Sequence, residues 1–129
     1  MVIDTSALVA MISKEPEAAE FAALVSADSR RLLSVISLAE TAIVMERRYG
    51  APGSRELEMV LRGLSIELAP VTPEQGRSAL LAYWRFGRTI HPAALNFGDC
   101  FVDALAKVTG ESLLFKGNDF SLTDVALAR

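Results

Sequence analysis

Four of the sixteen acidic residues in this 129-residue sequence fall where a metal-assisted phosphate chemistry would need them: Asp4, Glu40, Asp99 and Asp119. Each follows an apolar run or opens a helical one. Two carboxylates about 4 Å apart repel by roughly 4 kcal/mol at an effective dielectric near 20. Acids that converge must therefore protonate, spread apart or share a cation. Hard oxygen donors with no histidine or thiol among them point to Mg2+, with Mn2+ as a substitute, rather than to zinc. Mg2+ keeps several waters and takes one or two protein carboxylates, so four acids suit one ion or two. Such an ion lowers the pKa of a bound water, orients it for in-line attack on phosphorus and stabilises the leaving oxygen. That chemistry needs no serine or cysteine triad. The single histidine, His91, stands beside Pro92 in a loop segment and is a weak candidate for a general base.

Each acid taken alone has a plain structural explanation. Asp4 begins Asp-Thr-Ser, a trio that starts turns and helices. Glu40 completes a Ser37-x-x-Glu40 capping box. Asp99 falls at the third position of a helix capped by Asn96, where the macrodipole contributes roughly 0.3–1 kcal/mol. Asp119 follows a glycine turn. Two further candidates are weaker. Asp103, one helical turn beyond Asp99, suits either a metal-supporting role or an i,i+4 pair with Lys107. Ser6 can hydrogen-bond a carboxylate or a metal-held water, or simply shape the turn. Lys116 can meet a phosphate, or be an exposed loop lysine.

The elements that must position these groups are legible from period and punctuation. Val2-Ile3, Leu32 to Ile36, Ser65 to Pro70 (with Ile66 and Leu68 apolar) and Leu113 to Phe115 read as short strands. Helices are expected over Ala7 to Ile12, Glu17 to Ala27, Ser37 to Tyr49, Ser54 to Leu64, Thr72 to Phe86 and from Asn96 to Gly110. Gly50-Ala51-Pro52-Gly53 separates the third from the fourth, and Gly87 to Leu95 reads as a loop. Strands alternating with helices predict βαβ units: a mainly parallel sheet with helices on both faces, an α/β fold of three layers. Ligands in such folds bind beyond the carboxyl ends of the strands. Asp4, Glu40 and Asp119 should meet at that edge, and Asp99 joins them if its helix starts there.

Composition narrows the class. The chain, 51% apolar, is long enough to bury one core as a single domain over residues 1–129. Cys100 is the only cysteine, which excludes an intrachain disulfide and fits a reducing compartment. The start, Met1-Val2-Ile3-Asp4, lacks the basic region of a signal peptide, and no run of about 18 apolar residues predicts a membrane span. The cytoplasm is the expected location. A net charge of −3 offers no general attraction for nucleic acid. Any polyanion must be met locally, by candidates such as Arg30-Arg31, Arg47-Arg48, Arg85, Arg88 and Lys116.

Val2-Ile3-Asp4-Thr5-Ser6-Ala7-Leu8, Ser37 to Glu40, His91 to Cys100 and Lys116 to Phe120 together resemble the PIN-domain ribonucleases. The resemblance is closest to the VapC toxins of bacterial toxin–antitoxin pairs. It spans the chain in order, and Leu-Asn-Phe-Gly-Asp-Cys followed by Lys-Gly-Asn-Asp-Phe is its most specific part. It implies a PIN-like α/β/α fold and a metal-dependent endoribonuclease that arrests translation, with Asp4, Glu40, Asp99 and Asp119 as the site. It also implies a homodimer, an RNA substrate (tRNA, rRNA or mRNA) and inhibition by a VapB-like antitoxin. Three rival readings stand beside it. An Asp-x-Asp phosphatase is disfavoured because Ser6 occupies the second acid's position. A phospho-receiver domain is disfavoured because Ala69-Pro70, not an aspartate, follows the Ile66 to Leu68 strand. The third is a PIN-like module that binds RNA or protein without cutting.

Overall fold

Strands of two or three residues hold a sheet together best where both of their faces are buried, and the three strands Val2–Ile3, Leu32–Ser34 and Leu113–Leu114 are buried throughout, while the edge strand Glu67–Ala69 buries only Ala69. The computed structural model describes residues 1–128. Its chain order is β1 (Val2–Ile3), α1 (Thr5–Ile12), α2 (Ala18–Ala27), β2 (Leu32–Ser34), α3 (Val35–Tyr49), α4 (Ala51–Gly63), β3 (Glu67–Ala69), α5 (Pro73–Phe86), α6 (Phe97–Thr109) and β4 (Leu113–Leu114). A 3-10 turn follows at Asp119–Leu122. All strand pairings are parallel, in the order β3-β2-β1-β4. Val2 pairs with Leu32 on one side and Leu113 on the other, and Ile3 pairs with Leu114.

The two-residue period of a strand sorts these side chains into two cores. Val2, Leu32 and Leu113 face a cluster built from α5 and α6, including Ala79, Phe86, Val102 and Leu105. Ile3, Leu33 and Leu114 face the opposite cluster, built from α1 to α4, including Leu8, Val25, Met45 and Leu57. The result is the three-layer α/β/α arrangement. The chain winds outward from β1 through β2 to β3, then crosses back to place β4 on the other side of β1. This reversal makes the β1–β4 boundary the topological switch point, where the loops leaving the strands diverge and open a crevice. Asp4 leaves β1 there, and Lys116 to Asp119 leave β4. The final segment then returns beside β4: Leu113 N–H donates to Ala126 O at 2.8 Å and Ala128 N–H to Leu113 O at 2.9 Å.

Several boundaries differ from the sequence-based expectation, α1 beginning at Thr5 instead of Ala7 and β3 covering Glu67–Ala69 among them, and the start of α4 moves furthest. β2 stops at Ser34, not Ile36, and α3 begins at Val35. β-branched Val35 and Ile36 favour a strand in isolation, but the Ser34 side chain accepts the Ile36 N–H at 3.2 Å and starts the helix. Ser37 is therefore interior to α3, and the expected Ser37–Glu40 capping box does not form. Glu40 lies in the second turn, released from any capping duty. Likewise α4 begins at Ala51 with Pro52 in its first turn, the position where a missing N–H costs nothing. Gly53 then lets α4 close on α3, since a Cβ there would lie 2.9 Å from the Met45 carbonyl carbon. The helices opened by Thr72 and Asn96 start where their caps predict. Among the described residues no helix is long and apolar enough to cross a membrane.

The shifted cap generates a prediction. Ser34→Ala should lower unfolding free energy by about 1 kcal/mol through loss of the N-cap. Ser37→Ala should change it by less than about 0.5 kcal/mol, because the buried Ser37 hydroxyl has no hydrogen-bond partner among the described residues. Urea denaturation of both variants decides; the reverse order would place the cap at Ser37.

Candidate active site

Asp4 caps α1 with extended backbone, and its Oδ2 accepts both the Ser6 N–H (2.9 Å) and the Ser6 hydroxyl (2.5 Å). The Ser6 Oγ in turn accepts the Lys116 N–H at 2.9 Å. One hydroxyl thus ties the end of β1 to the end of β4 and fixes the Asp4 carboxylate between them. Burial pushes the Asp4 pKa above the ordinary value; the Ser6 bonds oppose this, and the Asp119 charge adds to it.

Asp99 is positioned by a reciprocal capping box. Its N–H donates to Asn96 Oδ1 (2.9 Å), and its Oδ2 accepts the Asn96 N–H (3.0 Å). Desolvation, set against that hydrogen bond and reinforced by the charges of Asp4, Asp119 and Glu40, raises its pKa to about 6. The half-buried Glu40 has its pKa raised by burial and then by the Asp4 charge, with the Thr5 hydroxyl opposing. Its carboxylate rests against Gly98, where a Cβ would lie 2.6 and 2.7 Å from the two Glu40 oxygens. Glycine at that place is what allows α3's carboxylate to approach the start of α6. Asp119 is exposed and opens the 3-10 turn after β4.

These four acids line one cavity of about 300 Å3 at the switch point, with Ser6, Asn96, Lys116 and Arg48 among its other walls. Four separate segments of the chain supply them, as the parallel-sheet reasoning anticipates for Asp4, Glu40 and Asp119. For Asp99 the condition was that α6 start at the same edge, and it does. The donors are all oxygen and mostly anionic, the set that a hard divalent cation takes and zinc does not favour. The nearby thiol of Cys100 is buried, does not line the cavity, and is kept protonated with a pKa pushed up to about 11 by burial and then by Asp99. As placed, no three His, Cys, Asp or Glu side chains among the described residues are already arranged as a metal-ligand cluster. Asp4 and Asp99 each direct Oδ2 into their own helix start. By donor chemistry the four acids fit a Mg2+-type ion; the close coordination itself is not preformed.

The weaker candidates separate cleanly. Ser6 lines the cavity and holds Asp4. Asp103 does not line it: fully buried, it pairs through Oδ1 with Lys107 Nζ at 3.0 Å, the i,i+4 arrangement. Lys107 also reaches Asp124 (2.8 Å), which Arg85 joins at 2.8 Å. Lys116 Nζ is held by Glu15 (2.5 Å) and Glu17 (3.1 Å) of the α1–α2 connection. His91 is away from the cavity, its Nδ1 accepting the Ala93 N–H at 3.0 Å. Two contributors were not singled out from sequence. Thr5 was read only as part of a helix start, not as a partner of Glu40, and the Gly98 cradle depends on which side chain packs against it, which spacing does not reveal.

Residues 1–126 match the family model described as PIN domain. The chain is 52% identical over 126 residues to ribonuclease VapC30 of Mycobacterium tuberculosis, covering 98% of this chain and 96% of that one. It is 53% identical to ribonuclease VapC of Mycolicibacterium smegmatis, covering 98% of each. In fold it is similar to the crystal structure of Mycobacterium tuberculosis VapC20, a toxin that cleaves the sarcin–ricin loop. That match has a TM-score of 0.78 and 18% identity, covering 99% of this chain and 98% of that one.

The crowded carboxylates predict a stability signature. Asp99 binds its proton more tightly folded than unfolded, so its contribution to stability falls as pH rises from about 4 through about 6. Asp99→Asn should therefore stabilise the chain in chelator at pH 7–8, by about 1–2 kcal/mol once partial exposure is discounted. The gain should fade toward pH 4, and thermal melts across that range measure it. A gain independent of pH would contradict the charge explanation. Gly98→Ala should leave the fold intact, because the carboxylate it meets is the end of a flexible side chain. It should nonetheless displace Glu40, visible as a moved carboxylate in a crystal structure of the variant.

Proposed function

The chain belongs to the PIN-domain family, in its VapC branch, and on that footing we propose that it is a metal-dependent endoribonuclease, the toxin of a toxin–antitoxin pair. The observation that carries the reading is the convergence of Asp4, Glu40, Asp99 and Asp119, from four segments, on one cavity at the β1–β4 switch point. The names of its relatives support RNA as the substrate. The reaction is hydrolysis of a phosphodiester: a water oxygen bonds to phosphorus, one bridging P–O bond breaks, and the leaving oxygen takes up a proton.

Asp4, Glu40, Asp99 and Asp119 would hold the ion, Mg2+ or Mn2+. When bound, it supplies charge neutralisation for the phosphate and acidity to water. The chain's own residues do the rest. Ser6 keeps the Asp4 carboxylate in one orientation through two hydrogen bonds. Gly98 admits Glu40 to the floor of the cavity. Asp99 is held at Oδ2 by Asn96, while its Oδ1 has no hydrogen-bond partner among the described residues. Asp103 stays with Lys107 and acts on the site only by supporting α6.

Arrest of translation follows from cleavage of RNA that the ribosome needs, in the cytoplasm. A VapB-like antitoxin and a second copy of the chain are the expected partners. Supporting both is the apolar surface around Phe97, which is 73% exposed and borders two apolar clefts, one against α5 and one against α3.

The direct test incubates the purified chain with total bacterial RNA in Mg2+ or Mn2+, in EDTA, and with Asp99→Asn. Cleavage should need the ion and fall by about 100-fold or more in the variant. RNA binding without cleavage in any metal would select the non-cutting module instead.

A further inference from the structure

A chain of net charge −3 whose cavity is lined by four carboxylates repels a polyanion unless a cation meets it there. Most basic groups proposed from sequence are otherwise engaged. Arg30 pairs with Glu111 at 3.6 Å, Arg31 donates to the carbonyls of Ser26, Asp28 and Leu64, and Arg85 pairs with Asp124. Among the described residues only two cationic side chains line the acidic cavity, Lys116 and Arg48. The Lys116 ammonium is shared between Glu15 and Glu17, which neutralise it in place. Arg48 is exposed and makes no ion pair or hydrogen bond among the described residues.

The position of Arg48 is not accidental to α3. Glu40, Val44 and Arg48 are spaced four residues apart and all line the cavity, so they form one stripe of the helix. Eight residues at 1.5 Å each set Arg48 about 12 Å along the axis from Glu40. It stands at the rim, in the last turn, where the helix dipole favours a cation. A guanidinium held there can fork two N–H groups onto phosphate oxygens, which the ammonium of Lys116, already shared, cannot.

Resting on the nuclease reading, we propose that Arg48 binds the RNA backbone at a phosphate flanking the scissile one, and so draws the strand across the acidic cavity. Arg48 is a substrate-binding residue and takes no part in the proton transfers. Loss of one phosphate contact should weaken binding with little effect on the chemical step.

The experiment compares Arg48→Ala, Arg48→Lys and Arg47→Ala in the full chain. Arg47 is the neighbouring exposed arginine of the same last turn and does not line the cavity, so its variant controls for the helix dipole. On the RNA that the wild-type chain cuts, Arg48→Ala should raise KM about tenfold and change kcat less than about twofold, with Arg48→Lys intermediate. Binding is read separately, by fluorescence anisotropy with a labelled pool of single-stranded RNA and the Asp99→Asn chain as background. There, removal of Arg48 should reduce the slope of log affinity against log salt by about 0.7. Arg47→Ala should match the parent in both assays. Equal behaviour of the two alanine variants, or a loss confined to kcat, would overturn the assignment while leaving the nuclease intact. If wild type cuts no RNA, the nuclease reading fails by itself. The salt slopes then judge Arg48 alone, and an RNA pool that does not bind at all overturns it.

Discussion

Negative charge gathered at one sheet edge is the constraint to which the local structure answers. Burial raises the proton affinity of Asp4, Glu40 and Asp99, and the charges of Asp4, Glu40 and Asp119 each raise that of another member of the group further. Such an arrangement costs stability, so something must prevent the carboxylates from relaxing outward. Their anchors do this. Asp4 is bound to Ser6, which is bound to the backbone leaving β4; Asp99 is locked into a capping box. Behind those anchors lie Ile3, Leu33 and Leu114, all without exposure, and the two cores that clamp the short strands.

The same constraint shapes the distribution of positive charge. Ion pairs engage Arg30, Arg85, Lys107 and Lys116, but among the described residues none reaches the four site carboxylates. A lysine or arginine paired directly with them would fill the place a divalent cation takes and lower the carboxyl pKa values. The fold instead keeps the acids mutually unneutralised and their surroundings balanced. Asp103 illustrates the contrast: a more deeply buried carboxylate on the same helix, four residues on, is provided with Lys107 as a counter-ion.

Much of this was legible in residue order. Thr72-Pro73 and Asn96-x-x-Asp99 are unambiguous helix starts, and the acids after β1 and β4 follow from strands that must end at one edge. The start of α3 was not legible, because Val35-Ile36 satisfies both strand propensity and the first turn of a helix, and two serines three residues apart each offer a cap. Only tertiary packing, which takes Leu32 and Leu33 into opposite cores and leaves Val35 40% exposed, decides for Ser34. The meeting of Glu40 with Gly98 was equally hidden, since it depends on how α3 lies against α6. The choice between the two roles of Asp103 rested on which way one face of α6 turns relative to the cavity. The 3-10 turn that presents Asp119 has no periodicity to betray it.

The central claim is that mutually repelling carboxylates gather here to hold a doubly charged ion. Calorimetric titration of Mn2+ into the full chain near pH 6, in buffers of different ionisation enthalpy, tests it directly. Because an ion displaces the proton that Asp99 holds at that pH, binding should release a substantial fraction of a proton per ion, falling toward none near pH 8. Absence of binding, or binding whose heat is the same in every buffer at pH 6, would contradict the account.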